Sequence, residues 1–113
     1  MAFSLTSETV KGIAKITLVG ELDAAAAGSF REAVEQAAAS SPKRLVLITN
    51  ELTYMASAGL RALVFAKQKM GADVDIYVMG VQDPVRETLV MTGFQHSVIL
   101  VDTYDAAEIE NVR

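Results

Sequence analysis

Short apolar runs typical of β-strands alternate with segments of helical periodicity along this chain, and only short connections separate them. The runs GIAKITLVG (12–20), RLVLIT (44–49) and DVDIYVMG (73–80) are each followed by an amphipathic stretch. Consecutive parallel strands need a crossover connection, and a helix usually provides it. The alternation therefore predicts an α/β domain with a mostly parallel sheet.

The two ends of the chain add further elements to this pattern. FSLTSETV (3–10) is another β-type run, which the dipeptide KG separates from the next run, so a hairpin is expected there. A last strand is predicted at SVILV (97–101) and an amphipathic helix at TYDAAEIENV (103–112). We expect one domain over residues 1–113, with a mostly parallel central sheet, an antiparallel edge and about four helices.

Capping residues mark the first and third predicted helices. Asp23 lies where an N-cap belongs in the segment 21–40, and the tripeptide SSP breaks this helix. The apolar face of this first helix is formed by Ala26, Phe30, Ala33, Val34 and Ala37. Asp83 is the expected cap of the third helix, with Pro84 at its first position and Gly93 at its end.

Composition excludes several classes of function. The 113 residues are 51% hydrophobic and 21% charged, a balance typical of a single globular domain. The net charge is −4 and no cluster of Lys and Arg forms a basic stripe, so nucleic acid is not an expected partner. The chain lacks cysteine, a signal sequence and any apolar run long enough to cross a bilayer. We therefore expect a cytoplasmic protein without membrane attachment.

Residues for catalysis or metal binding are sparse. The acidic residues are scattered without a histidine or cysteine cluster, so no metal site is predicted. The glycine turns GELD and MGVQDP lack the spacing of phosphate-binding loops, so no cofactor is expected. The single histidine, His96, falls in a predicted loop far from Ser57 in sequence. We expect no enzyme, and a small enzyme that uses Ser57 and His96 is kept as an alternative.

A single serine lies at the junction of a predicted strand and a predicted helix in NELTYMASAGLRALVF (50–65). Ser57 has two compatible interpretations: it caps the second helix, or it offers an exposed hydroxyl to the active site of another protein. A phosphoryl group there would face the positive end of the helix, which favours negative charge. About two negative charges would then appear on any surface that docks there, so phosphorylation would act as a release switch.

The second predicted helix carries more apolar surface than a core needs. The residues that suit the core are Leu60, Leu63, Val64 and Met70. Ala58, Ala62 and Phe65 form a second apolar line, which either docks a partner or is covered by another layer of the same domain. Gly59 either belongs to a functional junction or relieves crowding where helix meets strand.

Three segments, in order, resemble the STAS domains of bacterial anti-sigma-factor antagonists over nearly the whole chain. LVLITNELTYMASAGLRAL (45–63) resembles the family signature, in which an apolar strand leads to Asp-Ser-Ser/Thr-Gly-Leu at a helix start. VGELDAAAAGSF (19–30) resembles the Gly-Glu-Leu-Asp stretch of the family, and VRETLVMTGF (85–94) resembles its third-helix segment. The matching positions in the signature are Leu52, Tyr54, Met55, Ser57, Gly59 and Leu60.

The resemblance implies a single-domain STAS-like fold and a partner switch. In that family the unphosphorylated antagonist binds a serine-kinase anti-sigma factor, the kinase phosphorylates the first serine of the motif to end binding, and a phosphatase resets it. The phosphorylated residue carried over is Ser57, and the free protein is expected to be a monomer. The implied partner surface consists of Asp23, Met55, Ala56, Ser57, Ala58, Gly59, Arg61, Ala62 and Phe65.

This chain departs from the family pattern beside the serine. Ala56 and Ile48 replace acidic residues, and Ala58 replaces the second hydroxyl residue. Asp23 remains, either as an N-cap or with a role beside Ser57. The lost acid makes phosphorylation electrostatically easier but weakens recognition by a kinase that reads it. The alternative function is a STAS-like module that binds a small ligand or nucleotide and is not controlled by phosphorylation.

Overall fold

The computed structural model describes residues 3–104 and 106–110 and contains five strands and four α-helices within them. The elements, in chain order, are β1 (Ser4–Val10), β2 (Ile13–Leu22), α1 (Ala24–Ala39), β3 (Arg44–Met55), α2 (Ser57–Met70), β4 (Asp75–Met79), α3 (Asp83–Thr92), β5 (Ile99–Val101) and α4 (Ala106–Ile109). A short 3₁₀ turn, Phe94–His96, precedes β5. The predicted succession of elements is confirmed.

The strands form one sheet in the order β1-β2-β3-β4-β5. β1 and β2 are antiparallel, and every later pair is parallel. Lys11 and Gly12 connect the antiparallel pair with positive φ angles of 53° and 80°, the backbone that a tight hairpin of this twist requires. The predicted mostly parallel sheet with an antiparallel edge is therefore confirmed.

The three longer helices pack on one face of the sheet. β2 turns alternate side chains to that face, and these are at most 1% exposed: Ala14, Ile16, Leu18 and Leu22. They join one core with residues of α1, α2 and α3, such as Phe30, Leu63 and Leu89. The predicted apolar face of α1 lies entirely in this core. The helices and the sheet thus enclose the main core between two layers.

The short helix α4 covers part of the opposite face. Ile109 is buried there against Ile13, Val46 and Tyr77. The predicted C-terminal helix spans 103–112, and the structure has Ala106–Ile109 as helix; positions 105 and 111–113 lie outside the described residues.

Polar contacts hold the segment around α4 in place. The Tyr104 hydroxyl donates to Glu110 Oε2 at 2.6 Å, and Lys15 Nζ lies 4.5 Å from the centre of the Tyr104 ring. Burial, together with the hydrogen bond to Glu110 and the charge of that carboxylate, raises the pKa of Tyr104 to about 12. The neutral phenol is therefore the form that the folded protein favours.

Strands β2 and β3 are longer than predicted. β2 continues to Leu22 and β3 to Met55, whereas the sequence predicts ends at Gly20 and Thr49. The extra residues of β3 pair with the end of β2 after two irregularities in register, while β4 pairs only with the segment 44–48. A strand paired along one edge keeps polar, exposed residues, which is why this segment resembles a loop in the sequence.

Two of the three predicted helix-end residues are confirmed. Asp23 Oδ1 accepts from the Ala26 backbone N–H at 2.9 Å, and Gly93 ends α3 in the left-handed conformation with φ 75°. The predicted cap Asp83 is wrong by one position, because Gln82 is the N-cap of α3 and Pro84 is the second helical residue rather than the first. The Gln82 side chain donates instead to the Asn50 carbonyl oxygen at 2.6 Å.

Candidate functional site

The junction of β3 and α2 lies at the carboxyl edge of the parallel strands. Leu22 and Met55, the last residues of β2 and β3, are partners in the sheet. The Ala56 backbone N–H donates to the Leu22 carbonyl oxygen at 2.9 Å, which fixes the connection between β3 and α2. Helices α1 and α2 therefore both begin at this edge, next to neighbouring strands, and Ser57 is the first residue of α2.

Ser57 is exposed, and its hydroxyl is free of the fold. Within the described ranges no hydrogen bond engages the Ser57 side chain. The prediction that Ser57 caps α2 is wrong: Ala56 holds the N-cap position, with the extended backbone typical of a cap (φ −79°, ψ 170°) and no side-chain hydrogen bond. The hydroxyl is thus available to solvent and to a docking protein.

The start of α2 is an electropositive position without a compensating side chain. Its first turn contains no acidic residue, and no side chain caps it. The free backbone N–H groups of a helix start carry partial positive charge, so a negative group on Ser57 would be favourable there. The basic residues Lys67 and Lys69 lie in the last turn, where they complement the negative end. An added negative charge on Ser57 is therefore compatible with the fold.

Gly59 allows α2 to approach β2 closely. A Cβ atom at this position would stand 2.8 Å from the Cγ atom and from the carbonyl oxygen of Leu22, closer than side-chain carbon atoms come in folded proteins. The interpretation of Gly59 as relief of crowding between helix and strand is therefore the one that the structure supports. Gly59 is buried, and it positions Ser57 by permitting the contact.

Two further residues of the expected partner surface are buried. Met55 is 5% exposed and Ala62 is 1% exposed, and both belong to the main core. As side chains they cannot form part of a surface that a rigid partner touches, so their assignment to direct partner contact is corrected here. The reason is α1, which packs against α2 and covers the second apolar line in the way that the alternative interpretation described.

The rest of that apolar line is only half covered. Ala58 and Phe65 are half-buried and pack against the core. The Arg31 guanidinium of α1 lies 4.4 Å from the centre of the Phe65 ring, a distance at which cation and ring attract. This pair closes the groove between α1 and α2, so Phe65 is a contact between helices first and a surface residue second.

An exposed stripe runs along α2 from the serine. Ser57, Arg61 and Val64 are spaced i, i+4 and i+7, and all three are exposed, Val64 at 36%. We refer to these three residues as the outer stripe of α2. The sequence interpretation missed Val64 because it was assigned to the core; Leu60 and Met70 do pack against the core and Leu63 is buried in it. Tyr54, 47% exposed at the end of β3, is another large side chain left uncovered at this junction.

Groups for other chemistry are not gathered at the junction. His96 lies in the 3₁₀ turn after α3, and within the part of the chain that the structure describes no hydrogen bond joins it to Ser57. Among the same residues, no group of His, Asp or Glu side chains is arranged to hold a metal ion. None of the described helices is both long and apolar enough to span a bilayer.

Comparison with known proteins assigns the fold. The family model named STAS domain matches residues 4–107 of this chain. The chain is 24% identical over 102 residues to RsfB, an anti-sigma-F factor antagonist of Mycobacterium tuberculosis, and the match covers 90% of this chain and 84% of that protein.

Solved structures resemble the chain over almost its full length. An anti-sigma factor antagonist from Mycobacterium paratuberculosis superposes with a TM-score of 0.84 at 24% identity, over 94% of this chain and 91% of that one. The Bacillus cell fate determinant SpoIIAA in its phosphorylated form gives a TM-score of 0.72 at 20% identity, over 99% and 100% of the two chains. The predicted STAS-like fold is confirmed.

Proposed function

Since this chain belongs to the STAS domain family, we propose that it is an anti-sigma factor antagonist that binds a serine-kinase anti-sigma factor and is released by phosphorylation of Ser57. The observation that carries this proposal is the Ser57 hydroxyl, which is exposed and unbonded at the positive end of α2. In this proposal the protein is a substrate and a binding module, works in the cytoplasm as a monomer when free, and performs no catalysis of its own.

The modification itself is a phosphoryl transfer from ATP. The Ser57 oxygen attacks the γ-phosphorus, the bond between the γ-phosphorus and the bridging oxygen breaks, and ADP leaves. The hydroxyl proton passes to a base of the kinase. A phosphatase reverses the state by hydrolysis: water attacks the phosphorus, inorganic phosphate leaves, and the serine hydroxyl is restored. Every catalytic group belongs to the partner enzymes, and this chain supplies only the accessible oxygen.

The position of Ser57 explains why phosphorylation would change binding and not the fold. The phosphoryl group adds about two negative charges at a helix start, where free N–H groups favour them. The same charges would lie in the middle of a docked interface, where their desolvation and any carboxylate of the partner oppose binding. The free energy of the complex therefore falls while that of the folded chain is nearly constant.

We assign the partner surface to the exposed residues around Ser57. The outer stripe of α2 contributes Arg61, and Asp23, Ala56 and Ala58 lie around the same junction at the starts of α1 and α2. Phe65 extends the surface where Arg31 leaves it uncovered. The buried residues Met55, Gly59 and Ala62 support this surface from below.

A kinase assay tests the proposal directly. The purified chain is incubated with ATP and the serine kinase encoded beside its gene, and intact-mass and fragment spectra locate the product. One phosphoryl group on Ser57 is the expected result, with none in Ser57→Ala. The matched control is Ser29→Ala, which removes an exposed serine from α1 and should leave the modification unchanged. A wild-type chain that is never modified, or a Ser57→Ala chain that still is, contradicts the proposal.

A further inference from the structure

We propose that Arg61 forms an ion pair with the phosphoryl group of phosphorylated Ser57 and holds it against the surface of α2. This inference rests on the proposed function, because it concerns the state in which Ser57 carries a phosphoryl group. It adds a second consequence of phosphorylation: the new negative charge also removes the positive charge of Arg61 from the partner surface.

The spacing of the two residues favours the contact. Ser57 and Arg61 are four residues apart within one helix, which places their Cβ atoms roughly 5–6 Å from each other on the same face. Side chains on a helix lean toward its N-terminus, so the long Arg61 side chain extends toward position 57. An anion that precedes a cation by four residues is the more favourable order of such a pair.

Arg61 has no other charge partner. It is exposed, and within residues 3–104 and 106–110 it takes part in no ion pair, hydrogen bond or ring contact. The other arginine close to α2, Arg31, already lies over the Phe65 ring. A free guanidinium can offer two parallel N–H groups to one phosphoryl group, which a lysine cannot do.

The acidic residues near this edge oppose the new charge. Glu21 and Asp23 flank Leu22, whose carbonyl oxygen accepts from Ala56, and they belong to the end of β2 and the cap of α1. Their charges raise the pKa of a phosphoryl group on Ser57, whereas the helix start and Arg61 lower it. Since only Arg61 changes between the variants below, the difference between them isolates its effect.

A partner that docks on the outer stripe would therefore meet two changes at once. Before phosphorylation it finds a neutral hydroxyl and a free guanidinium; afterwards it finds a phosphoryl group whose nearest cation is already engaged. Carboxylates on a partner that pair with Arg61 in the first state lose that contact in the second. Arg61 thereby makes the surface more different between the two states than the phosphoryl charge alone would.

The test uses phosphoserine placed at position 57 during translation, so it needs no kinase. The second ionisation of the phosphoryl group is followed by ³¹P NMR as a function of pH, in the Arg61 chain and in Arg61→Gln, Arg61→Lys and Arg86→Gln. We expect the midpoint of Arg61→Gln to lie about 0.3–0.5 pH unit above that of the Arg61 chain, with Arg61→Lys between them. Arg86→Gln removes an arginine from α3 and should leave the midpoint unchanged.

Equal midpoints for the Arg61 chain and Arg61→Gln overturn the proposed ion pair, and so does a shift of the same size in Arg86→Gln. Should Arg61→Gln lose its circular dichroism spectrum, the comparison of arginine with lysine decides in the same way. This result is independent of the kinase assay: a failed kinase assay removes Ser57 phosphorylation as the natural switch, and a failed titration removes only the role of Arg61.

Discussion

Gly59 packs so closely on Leu22 that a Cβ atom at position 59 would stand 2.8 Å from both the Cγ atom and the carbonyl oxygen of Leu22. Leu22 ends β2, and Gly59 lies in the first turn of α2. The same carbonyl oxygen accepts from Ala56. The place of Ser57 relative to the sheet therefore depends on a residue without a side chain.

Gly59→Ala should destabilise the protein. The new methyl group meets a backbone oxygen, so α2 must shift, and overpacking of this kind costs about 1–3 kcal/mol of the free energy of unfolding. The higher helix propensity of alanine offsets up to about 1 kcal/mol of that cost. Urea denaturation followed by circular dichroism measures the sum.

Gly28→Ala is the matched control for Gly59→Ala. Gly28 is an exposed residue within α1, and a Cβ atom there would have no atom within 4 Å. This change should stabilise the chain by about 0.5–1 kcal/mol, because only the propensity difference acts. Equal effects at the two glycines would contradict the assigned role of the Leu22 contact.

Replacements of Ser57 should leave the fold intact. Since the hydroxyl makes no hydrogen bond in the described structure, Ser57→Ala should change the free energy of unfolding by less than about 0.5 kcal/mol. Ser57→Asp should raise it by about 0.3–1 kcal/mol at low salt, since the charge faces the helix start. Asp23→Ala, which loses the bond to the Ala26 N–H, is the contrasting variant and should lower it by about 1 kcal/mol. A Ser57→Ala chain as unstable as Asp23→Ala would refute the unbonded hydroxyl.

Ala56→Asp should stabilise α2. Ala56 already has the backbone of an N-cap, so an aspartate there can accept from a free N–H of the first turn and gain about 1 kcal/mol. The control is Ala25→Asp, the same change at an exposed first-turn position of α1, which Asp23 already caps. Only the smaller charge effect acts there, about 0.3–1 kcal/mol at low salt. The difference between the two variants should persist in high salt, where the charge effect is screened; its disappearance would argue against a new cap bond.

Tyr104 should make the protein sensitive to alkaline pH. Its pKa is about 12 in the folded chain, against about 10 for an unperturbed tyrosine. A group whose pKa is raised by folding contributes stability that is complete below pH 10 and is lost as the pH rises through 12. Denaturation midpoints measured from pH 8 to 12 should therefore fall less steeply in Tyr104→Phe than in the wild type.

The control for Tyr104→Phe is Tyr54→Phe. Tyr54 is an exposed tyrosine of β3, and its replacement leaves the bond between Tyr104 and Glu110 in place. The fall of stability with pH should match that of the wild type. A wild-type slope in Tyr104→Phe itself would show that this bond does not govern the alkaline limb.

Local patterns predict most of the fold because they record which face of each element is buried. The alternation in β2 and the period of α1 both follow from one-sided burial against the same core. The end of β3 escapes such a pattern, since residues 50–55 pair along one edge only and keep polar side chains. Pairing between distant segments leaves no local signal of its length.

The candidate site was predicted in its position and not in its detail. The exposed Ser57 at the start of α2 follows from the sequence, but the cap position does not, because Ala56 is held by a backbone bond to the distant Leu22. The two apolar lines of α2 are equally apolar as sequence. Only the packing of α1 decides that Ala62 is buried and Val64 is exposed.

Met55 ends β3, Ser57 begins α2, and one residue lies between them. A connection of that length cannot swing outward, so an enzyme that modifies Ser57 has to accept it on a folded helix rather than in an extended chain. We expect a peptide of residues 50–65 to be a poor substitute for the whole domain in such an encounter. Recognition would then depend on the complete tertiary structure, and unfolded copies of this chain would be excluded from signalling.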